Sequence, residues 1–115
     1  MSGEHYYERA QMLFQQQRYA EAEKMARQLL TAEPNNGYGL LLLGQIQLAQ
    51  HHLEAAQDSI QRAIGVAPDN GDAHYLLAAI RAEQQDYKAA IASVREATRL
   101  DPHDADYYSL HAQIL

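Results

Sequence analysis

Six histidines and no cysteine set the chemistry open to this 115-residue chain: imidazole could bind a metal or move protons near neutral pH, whereas thiolate chemistry and disulfides are absent. His51 and His52 are adjacent at an expected turn between helices, and His74, His103 and His111 fall together in the later part of the sequence. A metal site needs ligands that converge, and this pattern predicts solvated histidines at turns and helix ends instead. The segment Asp69-Asn70-Gly71-Asp72 carries part of a calcium-loop pattern, but its ligand spacing and distal glutamate are wrong, so helix capping explains it more simply. No Ser/His/Asp grouping, Gly-rich phosphate loop or His-Glu-x-x-His sequence occurs. The residues predict no catalytic centre, no bound metal and no cofactor.

Charge narrows the partners. Nine basic residues against 15 acidic ones give a formal charge of −6, with no cluster of Lys and Arg, so a nucleic-acid backbone would be repelled on average. Without cysteine, stability must come from packing, and the redox compartment stays open. The first residues lack a basic segment followed by an apolar one, so the cytoplasm is the expected setting. The longest apolar run, Leu40 to Leu43, is far short of the roughly 20 residues that span a bilayer, so no direct membrane insertion is expected.

The elements that would position any site emerge from periodicity. Pro34, Pro68 and Pro102 are each 34 residues apart. Small residues recur in the same register at Ala10, Gly44, Ala78 and Ala112, and again at Ala22, Ala56 and Ala90. Where two helices cross closely, a larger side chain would push their axes beyond the usual 8–10 Å. Apolar residues at three- and four-residue spacing, as in Tyr6-Ala10-Leu13-Phe14, Leu40-Leu43-Ile46 and Ile60-Ala63-Ile64, predict amphipathic helices. These fall at about 3–16, 19–31, 37–50, 53–65, 71–84 and 87–99, with a last helix from about 105. Ser2, Asn36, Asn70 and Asp104 precede first helices as caps. Each proline closes a second helix, and short turns such as Gln17-Arg18 and Gln85-Asp86 make neighbours antiparallel.

The pattern closely resembles the tetratricopeptide repeat family, whose 34-residue unit carries an aromatic residue, a Leu-Gly pair, a second aromatic, two alanines and a closing proline. The second unit matches through Leu40, Leu43-Gly44, Leu53, Ala56, Ile60, Ala63 and Pro68. The third matches through Leu77-Ala78, Tyr87, Ala90, Val94, Ala97 and Pro102, and the first through Tyr6, Ala10, Leu13, Tyr19, Ala22 and Pro34. Arg9, Leu29, Gln47 and Arg81 depart from the family pattern. The resemblance implies an all-α, right-handed superhelix of antiparallel helix pairs. It would form a single domain over 1–115, with repeats at about 3–36, 37–70 and 71–104 and a terminal capping or truncated-repeat helix at 105–115.

In such a superhelix the first helices line a concave groove that usually holds a peptide or helix. Position by position, the resemblance assigns that groove to Tyr7, Gln11, Tyr38, Leu41, Gln45, Leu48, Asp72, Tyr75, Ala79 and Ala82, followed by Ser109 and Gln113. The alternative for any one of these residues is that it fills the core between repeats. One branch of the family grips the terminal carboxylate of heat-shock chaperones with Lys, Asn and Arg. The matching positions here are Tyr7, Gln11, Gln45, Asp72 and Leu76, so an apolar or amphipathic segment held by Tyr and Gln fits better. The chain is expected to be a protein or peptide scaffold and not an enzyme. RNA binding in the manner of the 35-residue pentatricopeptide repeats is disfavoured by Asp72 and Asp106 near the groove. A homodimer joined through terminal helices, using Leu110, Ile114 and Leu115, is the second reading.

Overall fold

The computed structural model describes residues 3–115, and Ser2, the expected first cap, lies outside them. Those residues form seven helices and no strand: α1 (Gly3–Gln15), α2 (Tyr19–Ala32), α3 (Gly37–Ala49), α4 (Leu53–Val66), α5 (Gly71–Glu83), α6 (Tyr87–Leu100) and α7 (Ala105–Ile114). The starts of the later first helices are capped as the sequence predicts. The Asn36 side chain accepts from the Gly39 amide, Asn70 from Asp72, and Asp104 from Asp106. Second helices stop two residues before each proline, where Glu33, Ala67 and Asp101 take φ values of −135°, −138° and −140°. Proline's ring excludes helical geometry from the residue before it, and that exclusion sets these ends.

First helices end differently, and composition alone does not announce how. Gln17, His51 and Gln85 adopt positive φ values of 62°, 62° and 65° in the left-handed region usually held by glycine. Each is followed by an amide that reaches back five residues: Arg18 to the Leu13 carbonyl, His52 to Gln47 and Asp86 to Arg81. This closing bond satisfies a carbonyl that the helix would otherwise leave unpaired and turns the chain directly into the second helix.

Within each pair the helices meet at the small residues. Ala10, Ala22, Ala56, Ala78 and Ala90 are fully buried. A Cβ built on Gly44 would lie 2.3 Å from Ile60 Cδ1, closer than atoms can approach. Each second helix then packs on the first helix of the next pair, so α2 touches α3, α4 touches α5 and α6 touches α7. Successive first helices also meet one another, whereas among the described residues no two second helices do. The first helices therefore run along the inside of a curved stack measuring 43 × 25 × 22 Å.

The last joint is built around Tyr107. Its ring stacks on Tyr75 at 5.3 Å between centroids, and its hydroxyl donates to Asp72 Oδ1 at 2.5 Å. Equivalent positions 34 and 68 residues earlier hold Ala73 and Gly39, so the aromatic ring needs extra room. Gly71 provides it, since a Cβ there would lie 2.9 Å from the Tyr107 hydroxyl oxygen. Burial, then the hydrogen bond from Tyr107 to Asp72, then that carboxylate's charge push the phenol well above the ordinary tyrosine range.

Three outcomes follow for stability. Gly44→Ala gains helix propensity of up to about 1 kcal/mol but loses about 1–3 kcal/mol to overpacking against Ile60, so a net loss near 1 kcal/mol is expected. His51→Gly removes left-handed strain and should stabilise by about 0.5–1 kcal/mol. Urea denaturation of both variants checks the signs, and a stabilised Gly44→Ala would contradict the close approach. Because the folded phenol of Tyr107 holds its proton more tightly than the unfolded one, the stability it adds is complete below about pH 10 and is lost as pH rises through the folded value. Tyr107→Phe should cost about 0.5–1.5 kcal/mol at neutral pH and give a shallower decline in Tm above about pH 10. An unchanged alkaline slope would dismiss the role of that hydroxyl.

Candidate partner-binding face

The ten residues assigned to the groove from sequence all lie on first helices, and none is fully buried. They divide into two kinds. Tyr38, 70% exposed, projects from the first turn of α3, and Gln11 and Asp72 are also exposed. Tyr7, Leu41, Gln45, Leu48, Tyr75, Ala79 and Ala82 are half-buried. Of these, Tyr7 packs on the core between the first two pairs, while Leu41, Leu48 and Tyr75 pack on the core between the second and third. These four serve the core as well as the face. Ser109 and Gln113 of α7 are exposed.

Two clefts gather part of this set. The Tyr7 and Tyr38 rings meet edge to face at 6.4 Å, which holds Tyr38 at the rim beside the first cleft. That cleft, about 530 Å³, is lined by Gly37, Tyr38, Ala63, Val66, Ala67, Asn70 and Asp72, where the starts of α3 and α5 flank the end of α4. Val66, on its floor, is itself 44% exposed. The second, about 380 Å³, joins Ala79 and Ala82 to Tyr87, Leu110, Gln113 and Ile114 at the opposite edge of the stack. Tyr7, Gln11, Leu41, Gln45, Leu48 and Tyr75 line neither.

Charge is distributed unevenly between the two sides. Three ion pairs, Arg18–Glu21, Arg27–Glu23 and Arg99–Glu96, lie on or next to second helices and are exposed, so each adds little stability. The first helices carry only two of the chain's Lys and Arg residues, Arg9 and Arg81. Arg81 turns away from the face and donates from Nη1 to Ser93 Oγ of α6 at 2.7 Å. Asp72, Glu83 and Asp106 are exposed on first helices, and the positions assigned to the face include no cation.

Tyr107 is the residue that sequence reasoning missed. It takes Tyr75 as a stacking partner, so Tyr75 belongs to the α5–α7 joint as much as to the face. The signal was the replacement of a small residue by a large aromatic one at an otherwise regular position, opposite a glycine. On α7, Leu110 packs inward against the third pair and Ile114 is half-buried, whereas Leu115 is 82% exposed. Among the described residues, no group of three His, Asp or Glu side chains converges as a metal site, and no helix is long and apolar enough to cross a membrane.

Known structures share this architecture. The Arabidopsis OM64 TPR domain superposes with a TM-score of 0.93 at 17% identity, covering 97% of this chain and 93% of its own. The Sgt2 TPR domain from Aspergillus fumigatus gives 0.93 at 18% identity, covering 97% and 76%. The first TPR of Spaghetti (RPAP3), bound to the HSP90 peptide SRMEEVD, gives 0.94 at 17% identity, covering 98% and 90%. At these identities the likeness is one of fold. No curated protein matches the sequence. Two models of the tetratricopeptide repeat match residues 41–105 and 13–66. With the 34-residue period, the paired helices and the curved stack, these matches establish that the chain belongs to the tetratricopeptide repeat family.

Proposed function

We propose that the chain is a scaffold that holds a peptide or helical segment of a partner protein along the face built by its first helices. The observation that carries this reading is the exposure of Tyr38 on the inner side of the stack, beside half-buried Leu41, Gln45 and Leu48. A tyrosine presented with so little cover offers a large contact area at low entropic cost, which suits an interface. The three pairs and α7 act as one binding unit, with repeats at about 3–36, 37–70 and 71–104.

The similar Spaghetti (RPAP3) domain is bound to the HSP90 peptide SRMEEVD, three of whose last four residues are acidic. This chain does not suit that ligand. Where the family's chaperone-binding branch places cations and amides, it has Tyr7, Gln11, Gln45, Asp72 and Leu76, and Leu76 is buried. Asp72 would repel a carboxylate where a lysine should attract one. An apolar or amphipathic segment gripped by tyrosine and glutamine is the better occupant.

Self-association through α7 is a second reading, favoured by a specific exposure. On α3 and α5 the face bearing Leu43 and Leu77 is covered by a second helix, and both leucines are buried. No described helix covers the same face of α7, where Tyr108 is 49% and Leu115 82% exposed. Since Leu110 and Ile114 turn partly inward, Leu115 is the residue a second copy would reach first.

Peptides selected from a random display library on the immobilised chain provide the test. Their addition should shift backbone amides of α1, α3 and α5, and Tyr38→Ala combined with Gln45→Ala should lower their affinity about tenfold with Tm unchanged. Shifts confined to second helices, or unaltered affinity, would reject the face. In sedimentation, a dimer that Leu115→Lys dissolves would favour the second reading instead.

A further inference from the structure

We infer that the cleft between the starts of α3 and α5 takes a lysine or arginine side chain of the partner, so that the segment docked on this face is basic as well as apolar. The inference rests on the reading of the first-helix face as the binding site and specifies its chemistry. A long cationic side chain needs apolar surface for its methylenes, an aromatic face or carboxylate for its head, and no competing cation nearby. The lining of the cleft supplies the apolar surface, the ring and the carboxylate, and it includes no cation. Ala63, Val66 and Ala67 form an apolar floor, Tyr38 stands at one side with its ring largely exposed, and Asp72 stands at the other.

Asp72 is held in place for this task. Its Oδ1 accepts the Tyr107 hydroxyl, while its Oδ2 accepts no bond from any described residue. The starts of α3 and α5 bring partial positive charge toward the cleft. That charge is partly met within the chain, because Asn36 Oδ1 accepts from the Gly39 amide and Asn70 Oδ1 from the Asp72 amide. The full charge at the cleft is therefore the Asp72 carboxylate. Farther along the face Glu83 and Asp106 extend the negative field, and the chain's own ion-paired arginines lie on or next to second helices. A basic segment would be attracted along this side, and an acidic one repelled.

Three amphipathic helical peptides of equal length, built from Leu/Lys, Leu/Gln and Leu/Glu and labelled with fluorescein, test the inference by anisotropy titration at physiological salt. Asp72→Asn removes the charge while keeping an acceptor for Tyr107, and Tyr38→Leu removes the ring while keeping apolar surface. Glu54→Gln, on the exposed surface of α4, controls for net charge. The Leu/Lys peptide should bind about tenfold more tightly than Leu/Glu, and Asp72→Asn and Tyr38→Leu should each weaken it about three- to tenfold. Asp72→Asn should weaken Leu/Lys at least about threefold more than it weakens Leu/Gln, and Glu54→Gln should leave Leu/Lys binding within about twofold. If Asp72→Asn costs Leu/Lys no more than Glu54→Gln does, the cationic cleft is overturned. In that event, sensitivity of Leu/Gln binding to Tyr38→Ala with Gln45→Ala would keep the face. Insensitivity of all three peptides to that double variant, or binding of none, would overturn the face and the cleft together.

Discussion

The close approach of the two helices in each pair is the constraint on which the rest of this structure depends. Ala10 with Ala22, Gly44 with Ala56, and Ala78 with Ala90 occupy matching positions, and the alanines are fully buried. With side chains this small, the axes come close enough for Ile60 to lie directly against Gly44, and Ala26, Ile60 and Val94 at matching positions are fully buried. The second helix then lies at a fixed angle to the first, and the same angle is imposed on each following pair. Repetition of one local geometry every 34 residues turns a short-range packing rule into a curved stack, with no contact needed between its distant parts.

Much of this was legible in the sequence because the signals are local and repeated. Helix limits, three side-chain caps and the proline-defined ends follow from single residues acting on their neighbours. The turns after first helices were less legible, since Gln17, His51 and Gln85 take a conformation for which glycine is the usual marker. There the reward is the closing hydrogen bond, and tertiary packing overrides local preference. Gln47 and Arg81 looked like departures from the repeat. Each proves to be matched twelve residues later by a serine, with Ser59 donating to Gln47 Oε1 at 2.6 Å and Arg81 donating to Ser93. In the first pair the corresponding residues, Leu13 and Met25, pack in one apolar cluster. The two positions change character together because a buried polar group without its partner would cost about 1–3 kcal/mol.

The candidate face was less legible than the fold, for a geometric reason. Side chains on the inner side of a first helix also reach the adjacent pair, so helical position alone does not separate contact with a ligand from contact with the core. Tyr38 and Tyr75 occupy neighbouring turns of the repeat pattern yet end in different surroundings. Tyr38 keeps most of its surface, and the ring that meets it among the described residues, Tyr7, does so edge to face. Tyr75 loses its free face to Tyr107, a residue whose large side chain breaks the small-residue pattern at the last joint.

Asp72 links these two levels of organisation. One carboxylate oxygen anchors α7 through Tyr107, and the same carboxylate lines the cleft beside Tyr38. A cation in that cleft would lie beside the same carboxylate whose Oδ1 accepts the Tyr107 hydroxyl and whose Oδ2 accepts no bond from any described residue. If the cleft takes a cation, docking of α7 and occupation of the cleft would be coupled through this one side chain, and by linkage each would alter the other by the same free energy. The position of α7 is thus part of the electrostatics of the face, although α7 contributes no residue to the cleft itself.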